Sequence, residues 1–310
     1  MDKTSLSDRM KSYESLYNLK IMNRLPVIIR LDGKNFSSLT KKHKFTKPFS
    51  NIFANMIINT MINVARNIQG CLVGYTQSDE ITLVLRNDQS LESTPWFGNR
   101  IQKMCSILAS LAAASFNSLL ISQGFIEGFN LEKNKLVCFD SRVFAVPSIT
   151  EALNNLIWRQ NDCVKNSISS VTYYEIAKLD DYEKGKTRKM MFGLNQKQQQ
   201  DLSFKTAGIN WNNYEAKYKR GTVTFKENFK SKVIPKFKNG IPEDKRCPDC
   251  LNINPDILCF TCGGTDIKPI EVVRTRWKTE PAPIFTSEEG KSWLSNVISL
   301  EKKKWRRIKK

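Results

Sequence analysis

Two short acidic segments, Arg30-Leu31-Asp32-Gly33-Lys34-Asn35-Phe36 and Gln77-Ser78-Asp79-Glu80, each stand at the end of an apolar run. Acids in turns are often no more than solvated side chains. Acids at the ends of neighbouring strands can instead converge. Three converging carboxylates, Asp32, Asp79 and Glu80, without an arginine partner in the same motif would repel one another, so a divalent cation is their expected neutraliser. Mg²⁺ suits the position, because it takes few protein oxygens and completes its octahedron with water and phosphate. The chemistry this pattern predicts is that of a two-metal nucleotide site.

The elements that must position these acids can be traced along the chain. Pro26-Val27-Ile28-Ile29-Arg30-Leu31 is a β-branched run of strand character that delivers Asp32 to a strand terminus. Cys71-Leu72-Val73-Gly74-Tyr75 and Ile81-Thr82-Leu83-Val84-Leu85 read as two strands joined by a tight polar turn that carries Ser78 and Asp79. Between them, from Pro48 to Ile68, apolar residues recur mostly at three- and four-residue steps, as an amphipathic helix requires. A second helical stretch runs from Arg100 to Leu120, and Leu136 to Val146 makes one more strand, ended by Pro147. The order is β-α-β-β-α-β. It predicts an α/β (α+β) chain with a ferredoxin-like βαββαβ domain, its sheet antiparallel and its helices on one face. Polymerase palms and nucleotide cyclases both use this arrangement, so the fold leaves the reaction open.

Ser148-Ile149-Thr150-Glu151 has capping-box spacing and predicts a helix from there toward Lys165. The domain organisation read from these signals is a palm-like catalytic domain over 1–147 and a basic region over 148–240. A zinc ribbon over 241–268 and a basic C-terminal tail over 269–310 complete it.

A chain of 310 residues with 40% hydrophobic and 25% charged residues has the composition of an ordinary globular protein. No apolar run is seen to approach the ~20 residues that span a bilayer, and Met1 to Ser5 lack the basic start of a secretion signal. The expectation is a cytoplasmic or otherwise intracellular protein that is not secreted and has no membrane partner. The formal net charge of +19 points to a polyanion such as nucleic acid. Basic residues concentrate at Lys184 to Lys189, Lys217 to Arg220, Lys226 to Lys238 and Lys302 to Arg307. Trp211, Tyr214, Tyr218 and Phe237 lie among them and can stack on unpaired bases. The plainer alternative is a solvated, lysine-rich surface.

The eight cysteines form two groups. Cys71, Cys105, Cys138 and Cys163 fall singly within apolar or helical patterns, as buried free thiols do. Cys247, Cys250, Cys259 and Cys262 form two C-x2-C knuckles, followed by Gly263-Gly264, and predict a closed structural Zn²⁺ site. A closed site has no open position for catalysis, which leaves it folding or RNA contact. His43 is the only histidine, so Ser-His-Asp and Cys-His hydrolase chemistry is not supported. Its place between a strand and a helix suits a structural or RNA-facing role. Gly185-Lys186-Thr187 is not a phosphate-binding loop, because Asp180 stands where that motif needs glycine.

Read together, Ile29 to Phe36, Lys42 to Pro48 and Tyr75 to Glu80 resemble the histidine tRNA guanylyltransferase family. So do Phe139-Asp140-Ser141-Arg142-Val143, Trp158-Arg159-Gln160-Asn161-Asp162-Cys163 and Tyr218-Lys219-Arg220-Gly221-Thr222-Val223, in collinear order from about residue 8 to about 225. The resemblance implies a Mg²⁺-dependent nucleotidyltransferase that adds nucleotides in the 3′→5′ direction at the 5′ end of tRNA. GTP and ATP would be its substrates and two Mg²⁺ ions its cofactors. By position, Asp32, the Gly33 carbonyl and Asp79 would bind the metals, with Glu80 assisting. Asp32, Gly33, Lys34, Asn35, Phe36, Ser37 and Ser78 would line the nucleotide site. Lys47, Arg100 and Lys103 resemble the family's triphosphate-binding residues, the last two one helical turn apart. The region over 148–240 would contact tRNA, and the chain would be a homo-oligomer, with a tetramer the state the resemblance suggests.

Two departures bear on the substrate. Eukaryotic members carry a His-Ile-Asn-Asn stretch after the Asp-Cys pair, where this chain has Asp162-Cys163-Val164-Lys165-Asn166-Ser167. Ser37 replaces a histidine of the nucleotide-binding segment. Both resemble the divergent guanylyltransferase-like branch, which repairs 5′-truncated tRNAs against the opposite strand. Two other functions are compatible with the same residues: a palm-fold nucleotide cyclase, and a non-catalytic RNA-binding protein built round the zinc ribbon.

Overall fold

The computed structural model describes residues 4–126, 136–179, 184–233, 237–238, 241–242 and 270–299. The chain divides into two compact units, residues 1–225 with 279–310, and residues 226–278.

Helix α1 (Leu6–Ser15) is capped by Ser5, whose hydroxyl accepts from the Asp8 amide. The β-branched run then forms β1 (Val27–Gly33), followed by α2 (Phe36–Lys42) and α3 (Asn51–Arg66). Ser50, not Pro48, starts α3, accepting from the Phe53 amide. The hairpin strands are β2 (Cys71–Gln77) and β3 (Glu80–Leu85), and α4 (Ile101–Ser122) and β4 (Phe139–Ala145) complete the βαββαβ order. Next come α5 (Ile149–Ile176), α6 (Lys184–Met191), α7 (Gln196–Ala207), α8 (Ala216–Arg220) and β5 (Thr222–Val233). The short strands β6 (Phe237–Lys238) and β7 (Ile241–Pro242) pair with each other, and β8 (Ile270–Pro281) and α9 (Glu288–Ile298) end the described chain.

Six strands form one sheet in the order β4-β1-β3-β2-β5-β8. The pairs β4-β1, β1-β3, β3-β2 and β2-β5 are antiparallel. Its first four strands have the order 4-1-3-2 that a split βαβ unit produces. Strands β2 and β3 are buried along their whole length, because helices cover both faces of the sheet. On one face α3 and α4 pack together; a Cβ added at Gly74 would meet Met61 of α3 at 3.1 Å and Leu83 at 2.9 Å. On the other, Ile28, Val73, Tyr75 and Val84 pack with Ala152 and Leu156 of α5 and with Leu294, Val297 and Ile298 of α9.

These packings correct three expectations. Helices lie on both faces, because α5 and α9 supply a second apolar layer. The sheet and α5 to α8 share one compact unit. Residues 269–310 are not simply a basic tail: Phe285, Leu294 and Ile298 are buried in the main core. Finally, α4 spans 22 residues and is long and apolar enough to cross a membrane by length and composition. It packs as a core helix here, with Met104, Leu108, Ala112, Phe116 and Leu120 fully buried.

Helix α5 begins where expected, with the Ser148 hydroxyl accepting from the Glu151 amide at 3.2 Å, but continues well past Lys165. The stretch Asn166-Ser167-Ile168-Ser169-Ser170 is a poor intrinsic helix former; burial of Ile168, Val171 and Ile176 carries it through. In the unit over 226–278, Arg276 bonds Glu227 at 2.9 Å and Thr275 bonds Asn228 at 3.0 Å.

Candidate active site

Strand pairing sets Asp32 opposite Glu80 across β1-β3 and opposite Asp140 across β1-β4. Between β2 and β3 the chain turns in two residues, Ser78 and Asp79, with Ser78 in the left-handed region at φ 49°. Asp79 therefore stands just beyond the sheet, beside the end of β1. A cavity of about 650 Å³ opens there, and Asp32, Gly33, Lys47, Ser78, Asp79 and Glu80 all line it. That volume is in the range of small-ligand sites.

The floor of the cavity is a glycine turn held by an aromatic anchor. A Cβ at Gly33 would lie 2.4 Å from the Phe36 ring, so only glycine lets the turn close over Phe36. Phe36 is buried, its ring 5.1 Å from Phe116, 5.2 Å from Phe139 and 5.9 Å from Phe53. Asn35 takes a left-handed conformation at φ 59° before α2, and Asn35, Phe36 and Ser37 reach the cavity. Lys34 does not; its side chain is exposed while its amide donates to the Cys138 carbonyl.

Lys47 supplies the cation. Its Nζ donates to the Thr40 hydroxyl at 3.1 Å and lies 5.6 Å from the centre of the Tyr174 ring. Burial lowers the Lys47 pKa, against the charge of Asp79, which raises it. Burial raises the Asp79 pKa; hydrogen bonds from the Ser78 side chain and its own backbone amide oppose the rise, and the charges of Asp32 and Glu80 add to it.

Glu80 departs from the expected trio. Its carboxylate accepts from Arg159 Nε at 2.6 Å and Nη2 at 2.7 Å, and pairs with Arg30 Nη2 at 2.7 Å. Arg159 Nη2 also donates to Asp162 at 2.9 Å. Burial alone would lower the Arg159 pKa, but Glu80 and Asp162 outweigh it and the pKa is raised. The three carboxylates thus do not meet without an arginine. Glu80 is neutralised by two guanidinium groups, which leaves Asp32 and Asp79 as the acids facing open space. Among the described residues no cluster of three or more His, Cys, Asp or Glu forms a metal cage.

Arg100 and Lys103 are not walls of this cavity. Arg100 precedes α4 with extended backbone and bonds the Phe97 carbonyl at 3.2 Å, and Lys103 lies 4.8 Å over the Phe97 ring. Arg100 is therefore a cap position and not a full helical neighbour of Lys103. His43 packs edge-on against Phe125 at 5.6 Å, and burial, with help from Lys42, lowers its pKa. Cys71 and Cys163 are buried as expected, whereas Cys138 is exposed. Burial pushes the Cys163 thiol up to about 12, which removes it as a nucleophile at neutral pH. Cys247, Cys250, Cys259 and Cys262 lie outside the described residues.

The motif-based reading did not assign several cavity residues. Arg159 and Asp162 come from α5, Tyr174 from its C-terminal half, and Lys217 and Tyr218 from α8. Tyr218 stacks on Phe49 at 4.8 Å with an interplanar angle of 2°. Two stretches carried a signal: Trp158 to Cys163, with an arginine and an aspartate three residues apart on one helical face, and the basic, aromatic run Lys217 to Arg220.

A mixed α/β domain whose antiparallel sheet brings Asp32, Asp79 and Lys47 to one cavity has a layout that nucleotidyltransferases use. The family model for tRNAHis guanylyltransferase matches residues 7–147, and that for the Thg1 C-terminal domain matches 151–252. The chain belongs to the tRNAHis guanylyltransferase family. It is 29% identical over 222 residues to a probable tRNA(His) guanylyltransferase of Drosophila melanogaster, covering 70% of this chain and 72% of that one. Among solved structures, it is 37% identical to a bacterial Thg1-like protein in complex with ATP, with a TM-score of 0.62 over 71% of this chain and 88% of that one. A bacterial Thg1-like protein in complex with GTP matches at 29% identity and TM-score 0.62, over 96% of this chain and 100% of that one.

Proposed function

We propose that this chain is a Mg²⁺-dependent 3′→5′ nucleotidyltransferase acting on the 5′ end of tRNA, with a palm-like catalytic domain. The observation that carries this is the placing of Asp32 and Asp79, with Lys47 beside them, on one cavity wall of a chain in this family. The donor set fits Mg²⁺. Two carboxylates and the Gly33 carbonyl are few protein oxygens, and Asp32 and Asp79 line the cavity together while Glu80 is held by arginines. Asp32, Gly33 and Asp79 would hold the cations. Held there, Mg²⁺ would supply activation of the attacking hydroxyl and neutralisation of charge on the phosphate under attack and on the departing pyrophosphate.

The remaining steps belong to the chain's own side chains. Lys47 holds the triphosphate through its charge, kept in place by Thr40 and the Tyr174 face. Glu80, locked by Arg30 and Arg159, fixes the hairpin end so that Asp79 faces the cavity, and so acts as a positioning residue. The stacked Phe49 and Tyr218 offer an aromatic wall to a base. A triphosphate role for Arg100 and Lys103 rests on the family resemblance alone, as does Zn²⁺ binding on the spacing of Cys247, Cys250, Cys259 and Cys262.

In the reaction proposed, ATP adenylylates a 5′-monophosphate RNA with release of pyrophosphate, or a 5′-triphosphate end is used directly. The 3′-hydroxyl of GTP or another nucleotide then attacks the activated 5′ phosphorus and expels AMP or pyrophosphate. Ser37, and Val164-Lys165-Asn166-Ser167 in place of the eukaryotic His-Ile-Asn-Asn stretch, favour template-dependent 5′-end repair over addition of one guanylate. Incubation with ATP, GTP and labelled tRNAs, intact and 5′-truncated, with the opposing 3′ nucleotide varied, tests the proposal. Addition is expected to track the opposing nucleotide. Incorporation that survives Asp32→Ala or Asp79→Ala would sink the metal assignment.

A further inference from the structure

A second cleft, of about 430 Å³, opens along α5 beside the cavity and shares Asn166, Ser170 and Tyr174 with it. Its remaining walls come from Ser169 and Tyr173 of α5, Arg188 and Met191 of α6, and Phe192. Phe192 is 88% exposed, an aromatic side chain standing at the rim. The Arg188 guanidinium lies 5.6 Å over the Tyr173 ring. Among the described residues no acid lines this cleft, and the α6 sequence, Lys184 to Met191, carries three lysines beside Arg188 and no acid.

These groups are complementary to a nucleotide. Tyr173 and Phe192 present ring faces for a base, Arg188 a cation for a phosphate, and Asn166 an amide for the edge of a base. One cationic side chain in the wall matches a single phosphodiester charge better than the several charges of a triphosphate. The shared wall also sets a nucleotide held in the cleft directly beside an RNA end held in the cavity. We propose that this cleft takes one unpaired nucleotide of the RNA whose 5′ end occupies the cavity, its base against Phe192 and Tyr173 and its phosphate on Arg188. The inference rests on the proposed function and adds to it the residues that grip the RNA next to the reacting end.

The test uses the full-length chain and an RNA hairpin with a 5′ phosphate and 2-aminopurine as the single-stranded nucleotide beside it. Binding is expected to quench the 2-aminopurine fluorescence. Phe192→Ala and Arg188→Gln, both at exposed positions, should each relieve the quench and weaken binding of this RNA about tenfold. Binding of a blunt hairpin and of GTP should hold. Variants that leave the quench and the affinity unchanged, or that weaken GTP as much as RNA, overturn the proposal. Because the signal is read without turnover, a chain that binds and quenches but incorporates no nucleotide counts against the proposed reaction and not against the cleft.

Discussion

Burial raises the Asp79 pKa, and the charges of Asp32 and Glu80 add to the rise that hydrogen bonds from Ser78 and the Asp79 amide oppose. The folded chain therefore holds the Asp79 proton more tightly than the unfolded chain. Fold stability from this group falls as pH rises from the unfolded carboxylate pKa, near ~4, through the higher folded value, and stays lower above it. At neutral pH the ionised carboxylate is a cost to the metal-free protein, and the same charge is what a cation needs. Asp79→Asn is thus expected to raise the melting temperature of the metal-free protein at pH 7 while cutting nucleotide addition by on the order of a hundredfold to a thousandfold. Melting curves with and without Mg²⁺ check it: Mg²⁺ should stabilise the parent and not the variant. A variant that melts no higher than the parent would contradict the account of Asp79. The pairing of Asp32 with Asp79 was legible in the sequence because each follows an apolar run at a turn. The neutralisation of Glu80 was not, since Arg159 lies 79 residues further on and reaches it only through the packing of α5 on the sheet.

The hairpin end is also held from the side, where α8 runs into β5. Gly221 sits at that junction with φ 82° and ψ −173°, a region open essentially to glycine alone. A Cβ there would lie 2.6 Å from the Thr76 carbonyl oxygen and 2.7 Å from the Tyr75 hydroxyl. Tyr75 in turn donates to the Arg220 carbonyl at 3.1 Å, so β2 and the α8–β5 junction meet with no slack. Gly221→Ala should combine backbone strain with overpacking and destabilise the fold by about 2–5 kcal/mol. Urea unfolding reads this directly, and a loss under ~0.5 kcal/mol would mean that the junction yields. Elements of this kind were unequally visible beforehand. The hairpin and α3 announce themselves through strand alternation and three- and four-residue steps. Helix α9 carries a comparable signal in Leu294, Val297 and Ile298, but the lysine-rich run after residue 300 dominates the composition of that segment. The length of α5 was hidden because its middle is polar and its helicity comes from tertiary burial.

Two features belong to the molecule as a whole, a net charge of +19 and an α1 helix with no buried residue. Ten residues of isolated helix are marginal in water, so α1 needs a surface to lie against. The residues in and after it are apolar and open to solvent: Leu16 is 73% exposed, Tyr17 72% and Met22 74%. An apolar patch of this kind suits a protein partner and not a phosphate backbone, and a second copy of the chain is the partner always at hand. The proposed self-association and tRNA binding would respond to salt in opposite ways. Copies each carrying +19 repel one another, so screening by salt should strengthen their association. Binding of tRNA releases counter-ions, so salt should weaken it steeply. Sedimentation velocity at 50 and 300 mM salt, roughly spanning a Debye length of ~14 to ~6 Å, is expected to show more of the assembled species at the higher concentration. Leu16→Glu with Tyr17→Glu should leave a folded single chain at both. If the parent sediments as a single chain throughout, or the double variant still assembles, then α1 is not the surface that copies share.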